Sequence, residues 1–177
     1  MSSSMDEARW SWTAEANSGV LRIRVAGVID DESNLGDILG ALGDGERRAR
    51  SVALDLGGIE RINSIGVSRW LDFIGALSER VEVLDLERCS SCVVHQLGMI
   101  RGFNGTGRVR SVLAGYDCLA CGARRCELVE ASALADFDWE GARPCPACGE
   151  PLELDGLAEE YRSLSELTDR SGQPGPA

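Results

Sequence analysis

Ser51–Leu77, SVALDLGGIERINSIGVSRWLDFIGAL, decides the fold. Its first part, Ser51 to Leu56, reads as a compact strand closed by Gly57-Gly58. After Asn63 the apolar spacing becomes helical, with Val67, Trp70, Leu71, Ile74 and Leu77 on one face. Asn63 suits the N-cap, because its side-chain oxygen can accept a bond from an otherwise unpaired amide of the first turn.

The same grammar extends in both directions. Upstream, Val20 to Ile29 alternates apolar and other residues like a half-buried strand, and Trp10 to Ala16 can pair with it across Asn17-Ser18-Gly19. Asp30 and Asp31 are expected to open a short helix carrying Leu35, Ile38, Leu39 and Leu42, since acidic groups suit a helix N-terminus. Downstream, Val81 to Leu86 reads as a strand, and Val93, Val94, Leu97 and Ile100 mark a third helix that stops near Gly102. Arg108 to Leu113 reads as the last strand. The order β-β-α-β-α-β-α-β predicts an α/β fold, a mixed sheet with helices packed on one face.

Beyond residue 113 the periodicity fades and cysteine, glycine and proline take over. Cys118-Leu-Ala-Cys121-Gly122 and Cys145-Pro-Ala-Cys148-Gly149 are two copies of one knuckle. Two cysteines three apart across a tight turn can present both sulfurs to one tetrahedral ion at about 2.3 Å. The glycine that follows can take positive φ and turn the chain away. Two such turns complete a Cys₄ site with no open position, which points to one structural Zn²⁺ per chain. Buried or redox cysteines are the bland alternative. The region is short of apolar residues, so metal binding is expected to supply its folding energy. Arg124, Arg125 and Arg143 are placed to soften the site's negative charge. Cys126 is either a substitute ligand or a bystander on the strand leaving the first knuckle.

Seven cysteines, an odd number, argue against a disulfide framework and for metal. The net charge of −11 over 177 residues opposes phosphate backbones, so nucleic acid is not expected as a partner. The cluster Arg47, Arg48, Arg50 reads as a solvated loop. No apolar run approaches the roughly 18 residues that span a bilayer, and MSSSMDEARW lacks a signal-peptide pattern. A cytoplasmic protein without membrane contact is the expectation.

A second pair, Cys89-Ser-Ser-Cys92, follows a strand and opens a helix, the context in which a helix N-terminus can lower a thiol pKa. A thiol redox protein using Cys89 and Cys92 is therefore one alternative. A C-x-x-C-x-x-H metal site with His95 is another, although three-residue steps on a helix drift by about 60° each. In the plain reading, both cysteines are small buried hydrophobes and His95 is a partly exposed helix residue.

Ser51–Leu77, with V-x-L-D-L, a short turn and an N-S-I-G-hydrophobic helix start, resembles the STAS domain of bacterial anti-sigma-factor antagonists. The element order matches over residues 8–112. With CSSCVVHQL, RVRSVLAGYDCLACG and RPCPACGEPLELDGLAEEY, the chain resembles a bacterial subgroup that fuses a STAS-like domain to a zinc ribbon. The resemblance implies a non-enzymatic regulatory module that binds a protein partner, such as a kinase that doubles as an anti-sigma factor. It also implies release by phosphorylation of a serine at the helix start. Here Ile65 occupies the usual acceptor position, so that switch is missing. Ser64 is a substitute acceptor one position, about 100°, away, or else a residue that satisfies a helix-terminal amide. The implied partner surface comprises Asp30, Asp31, Arg61, Asn63, Ser64, Ile65, Ser68, Arg69 and Asp72.

The expected layout is a disordered N-terminus at 1–7, a STAS-like domain at 8–112, a Cys₄ zinc ribbon at 113–157, and a C-terminal helix with a disordered tail at 158–177. Leu157, Tyr161, Leu164 and Leu167 have the helical spacing of that last element. A structural subunit of a larger assembly is the remaining alternative, and self-association is compatible with all of these readings.

Overall fold

A computed structural model describes residues 10–43 and 49–168. Residues 1–7, Arg47, Arg48 and the tail from Ser171, each named above, lie outside that range. The chain is mixed α/β, with four α-helices among the described residues. The first sheet has the order β1-β2-β3-β4-β6, formed by Ser11–Asn17, Val20–Ile29, Ser51–Ile62, Val83–Glu87 and Arg108–Val109. β1 is antiparallel to β2, and the other neighbours are parallel, so the sheet is mixed. A second sheet is built from β5 (Cys89–Ser90), β7 (Ser111–Asp117) and β8 (Arg124–Glu130), with β9 (Glu153–Leu154) also on β7. The helices are α1 (Gly36–Gly40), α2 (Ser64–Arg80), α3 (Ser91–Met99) and α4 (Ala158–Ser163).

The apolar alternation of β2 decides which way the first sheet faces. Leu21, Ile23 and Val25 are buried, while Arg22 and Arg24 between them are exposed. α2 buries Gly66, Trp70, Phe73, Ile74 and Leu77, close to the stripe expected from sequence. Trp70 stacks on Phe103 at 5.3 Å and donates its Nε1–H to the Phe103 carbonyl at 2.8 Å, so its one polar group is satisfied inside the core.

Four local expectations are corrected. Asp30 and Asp31 do not begin a helix. Asp30 accepts from the Glu32 amide at 2.9 Å, and Ser33 Oγ donates to the Val28 carbonyl at 3.0 Å, so side chains hold a turn and α1 waits until Gly36. β3 does not stop at Gly57-Gly58 but runs to Ile62, because β2 shifts register beside it and Ala26 comes opposite Gly58. The short turn expected before the α2 start, Glu60-Arg61-Ile62, therefore belongs to a strand. The last strand is divided: after β6, the Arg110 amide bonds to the Leu86 carbonyl and the chain passes into the second sheet as β7.

Residues 112 and 113 thus lie within one strand. Val112 pairs with Cys89 and Leu113 with Ser90 in parallel, while both pair with β8 on the other edge. The second sheet also has its own core. Trp139 stacks on Tyr161 at 4.6 Å and meets Phe137 at 4.5 Å, and Trp139 and Tyr161 are fully buried. The Arg143 guanidinium lies 4.4 Å from the Tyr116 ring centre. The expectation that this region lacks apolar content is overturned by these aromatic side chains. Tyr161 and Leu164 are buried where α4 and the following 3-10 turn pack against α3, whereas Leu157 stays exposed.

Candidate metal centre

Each knuckle is built by the same two backbone bonds. In the first, the Gly122 amide donates to the Cys118 carbonyl at 2.8 Å and the Cys118 amide to the Ala123 carbonyl at 2.8 Å. In the second, Gly149 donates to Cys145 at 2.8 Å and Cys145 to the Glu150 carbonyl at 2.7 Å. Gly122 and Gly149 have φ of 73° and 82°, where an L side chain is strained, which is why glycine ends each turn. The first knuckle caps the β7–β8 hairpin. The second is closed by a Pro144–Pro151 bridge and leads into β9, which returns to β7 at Tyr116 and Asp117.

This arrangement brings Cys118, Cys121, Cys145 and Cys148 together, with their sulfurs within 4.8 Å of one another. Cys118 Sγ lies 3.5 Å from Cys148 Sγ, and Cys121 Sγ lies 3.7 Å from Cys145 Sγ. Tetrahedral Cys₄ coordination at about 2.3 Å per bond needs sulfurs roughly 3.8 Å apart, so the donor set fits a metal ion. None of the four is in a disulfide. The first cysteine of each knuckle is buried and the second exposed. Backbone amides of Ala147 and Cys148 pull the Cys145 thiol down to about 7, while neighbouring thiols push Cys121 and Cys148 up, so one proton leaves the cluster readily and the others are held by the crowding of sulfurs.

The arginines named from sequence have carboxylate partners. Arg124 pairs with Asp117 at 3.1 Å and Asp155 at 2.6 Å. Arg125 and Arg143 share Glu127, at 3.8 and 2.9 Å. These carboxylates answer the arginines first and tie β8 to the segments around the knuckles.

Cys89 and Cys92 stand apart from the metal cluster. Cys89 is fully buried, and burial pushes its thiol up to about 12. Burial also raises Cys92, whose Sγ donates to the Ile59 carbonyl at 3.3 Å. His95 is not turned toward either thiol for ligation: its Nδ1 lies 2.7 Å from Glu160 Oε1, which links α3 to α4. A cavity of 680 Å³ opens beside α3, and Cys92, Cys126, His95 and Glu160 all line it. Spacing gave no signal for this cleft, because its walls come from β3, α3, β8 and α4.

The residues of the expected partner surface lie at the C-terminal ends of β2 and β3 and along the first turns of α2. Asn63 follows β3 and its amide donates to the Ile29 carbonyl at 3.1 Å, which sets the Asp30–Asp31 turn beside the start of α2. Asn63 Oδ1 accepts from the Gly66 amide at 2.7 Å, so Asn63 makes the cap and Ser64 is left exposed. Ile65 is 52% exposed. Arg69 reaches across to the Ser33 carbonyl at 3.3 Å, and Arg69 and Asp72 line a groove of 260 Å³ with Leu35, Leu39 and Phe73. Ser68 is exposed on the same helix, and Arg61 is exposed at the end of β3.

No protein-family model, curated protein or solved structure matches the chain. Among the described residues, no helix is long and apolar enough to cross a membrane.

Proposed function

We propose that this chain is a non-enzymatic, STAS-like protein-interaction module whose second sheet is a zinc ribbon. The observation that carries the reading is the construction of the α2 start. On this reading Gly66 stands for the STAS motif glycine, and α2 presses on the end of β2 at that residue. One residue earlier Ile65 is 52% exposed, on the helix turn that abuts the Asp30 backbone and that also carries the exposed Ser64 and Ser68. An apolar anchor in a polar surround is the make-up of a protein-binding patch. Ile65 has no hydroxyl, so the partner's hold is not governed by phosphorylation at that position.

The ion assigned to the four cysteines is Zn²⁺, because four thiolates in tetrahedral array are a structural zinc site. Its role is to hold the two knuckles and the end of β7. The thiol redox reading is disfavoured by the buried, high-pKa Cys89, which is the opposite of an activated nucleophile.

The test is quantitative affinity capture from a native extract, with the full-length protein and its Ile65→Asp variant as baits. A partner retained by the first and lost from the second supports the reading. A partner set unchanged by the variant, held in fixed stoichiometry, points instead to a structural subunit.

A further inference from the structure

The face of the first sheet opposite the buried side chains of β2 carries an ordered pattern of charge. In register across the strands, one row is Arg22, Ala53, Asp85 and Arg108, and the next begins Arg24, Asp55 and Glu87. Arg110 follows directly after β6. The central strands β3 and β4 hold the acids, and the flanking strands hold the arginines. Arg22 pairs with Glu87. Asp55 is shared by Arg24 at 3.2 Å and Arg88 at 3.7 Å, and Asp85 by Arg108 at 3.0 Å and Arg110 at 3.9 Å.

Two features make this face more than a solvated sheet. The carboxylates lie beneath, with side chains 4%, 23% and 22% exposed for Asp55, Asp85 and Glu87, while the five guanidiniums are 37% to 60% exposed. Solvent therefore meets positive charge here, on a chain of net charge −11. In addition, Arg88 and Arg110 stand beyond hydrogen-bond reach of their carboxylates, and among the described residues Arg24 donates through Nε alone. Each guanidinium carries five N–H donors, so these three retain forks for bidentate recognition. Glu15, opposite Arg22 on β1, adds one acid at the outer edge and makes no ion pair among the described residues.

We propose that this sheet face docks an extended acidic segment of a partner protein, whose carboxylates engage Arg24, Arg88 and Arg110. Arg24 and Arg110 mark the two ends of the second row, three inter-strand steps or roughly 14 Å apart, a span that an extended chain covers in about four to five residues. A nucleic acid fits less well. Its continuous negative charge would meet the acidic remainder of this chain, whereas a short segment is confined to the arginine face. This surface is separate from the α2 start and does not depend on the STAS-like reading.

The experiment measures fluorescence anisotropy of a short labelled peptide of alternating Glu and Thr, titrated with the full-length, metal-loaded protein. The Lys-Thr counterpart and a labelled single-stranded DNA are the controls. The expected result is saturable, salt-weakened binding of the acidic peptide alone. Arg24→Gln, Arg88→Gln and Arg110→Gln together are expected to lower affinity by about tenfold or more. Arg50→Gln, at a residue paired with Glu82 outside this pattern, should leave affinity unchanged. The triple variant strips Asp55 of both partners, so the single Arg110→Gln variant, with a loss of roughly threefold, keeps the test open if the triple fails to fold. No saturable binding, affinity unchanged in Arg110→Gln, or tighter binding of the DNA would each overturn the proposal.

Discussion

Gly66 of α2 lies so close to the Ile29 carbonyl that a Cβ on it would overlap the oxygen and stand 2.6 Å from the carbonyl carbon. The contact welds the start of the helix to the end of β2, and it fixes where Ile65 and Ser64 emerge. Gly66→Ala is expected to destabilise the fold by about 1–3 kcal/mol through overpacking. Gly75, mid-helix with nothing within 4 Å of its would-be Cβ, is the control: Gly75→Ala should stabilise by up to about 1 kcal/mol. Urea denaturation of the two variants reads opposite signs.

Metal analysis separates the seven cysteines. The purified protein is expected to hold one zinc per chain, and Cys145→Ser to lose it, while Cys126→Ser keeps it. With zinc bound, thiol titration should find exposed Cys126 first, partly buried Cys92 later and Cys89 only on unfolding. Metal content unaltered by Cys145→Ser would remove the ion from these knuckles.

Cys89 gives a pH dependence of definite sign. Its folded thiol sits near 12 because of burial, against an ordinary value of 9.0. Above pH 9 the unfolded chain releases a proton that the folded chain keeps, so stability is full below 9 and falls as pH rises toward 12. Between pH 8 and 10 this costs about 1.4 kcal/mol. Cys89→Ala should flatten the slope over that interval by this amount, measured by denaturant melts at each pH.

Ile65→Asp should leave stability within about 0.5 kcal/mol, since the side chain is exposed and packs on nothing in the core. Its effect is expected on partner capture alone. A large loss of stability would show that Ile65 serves the fold rather than a partner.

The parts of this fold legible in sequence were those written as local periodicity. β2 and α2 followed their apolar spacing, and Asn63 capped where it was expected to. The matched knuckles were equally plain, because a ligand set repeats its own spacing. Asp30 was misread because a nearby hydroxyl, Ser33, competes for the backbone, and the choice between turn and helix depends on that bond. Gly57-Gly58 looked like a stop because only the neighbouring strand shows how the bulge is accommodated. Tyr116, Phe137, Trp139 and Tyr161 share no period, so their cluster exists only after folding. The charged face was written in plain view as R-x-R, D, D-x-E and R-x-R along successive strands. Alternation along one strand tells which residues face outward, and only the register between strands sets the acids of β3 and β4 among the arginines.

β7 begins beside Cys89 and α3 and ends one residue before Cys118, a strand of about 23 Å with the candidate metal site at its tip. A module joined by a linker can be gained or lost without disturbing its host. Here the strand that leads to the knuckles pairs with Cys89 and Ser90 at the start of α3, so the two parts are joined by a ladder and not by a linker. Metal scarcity would accordingly register as a shortage of the whole protein, and any signal arriving at the knuckles would be felt at the roots of the helices.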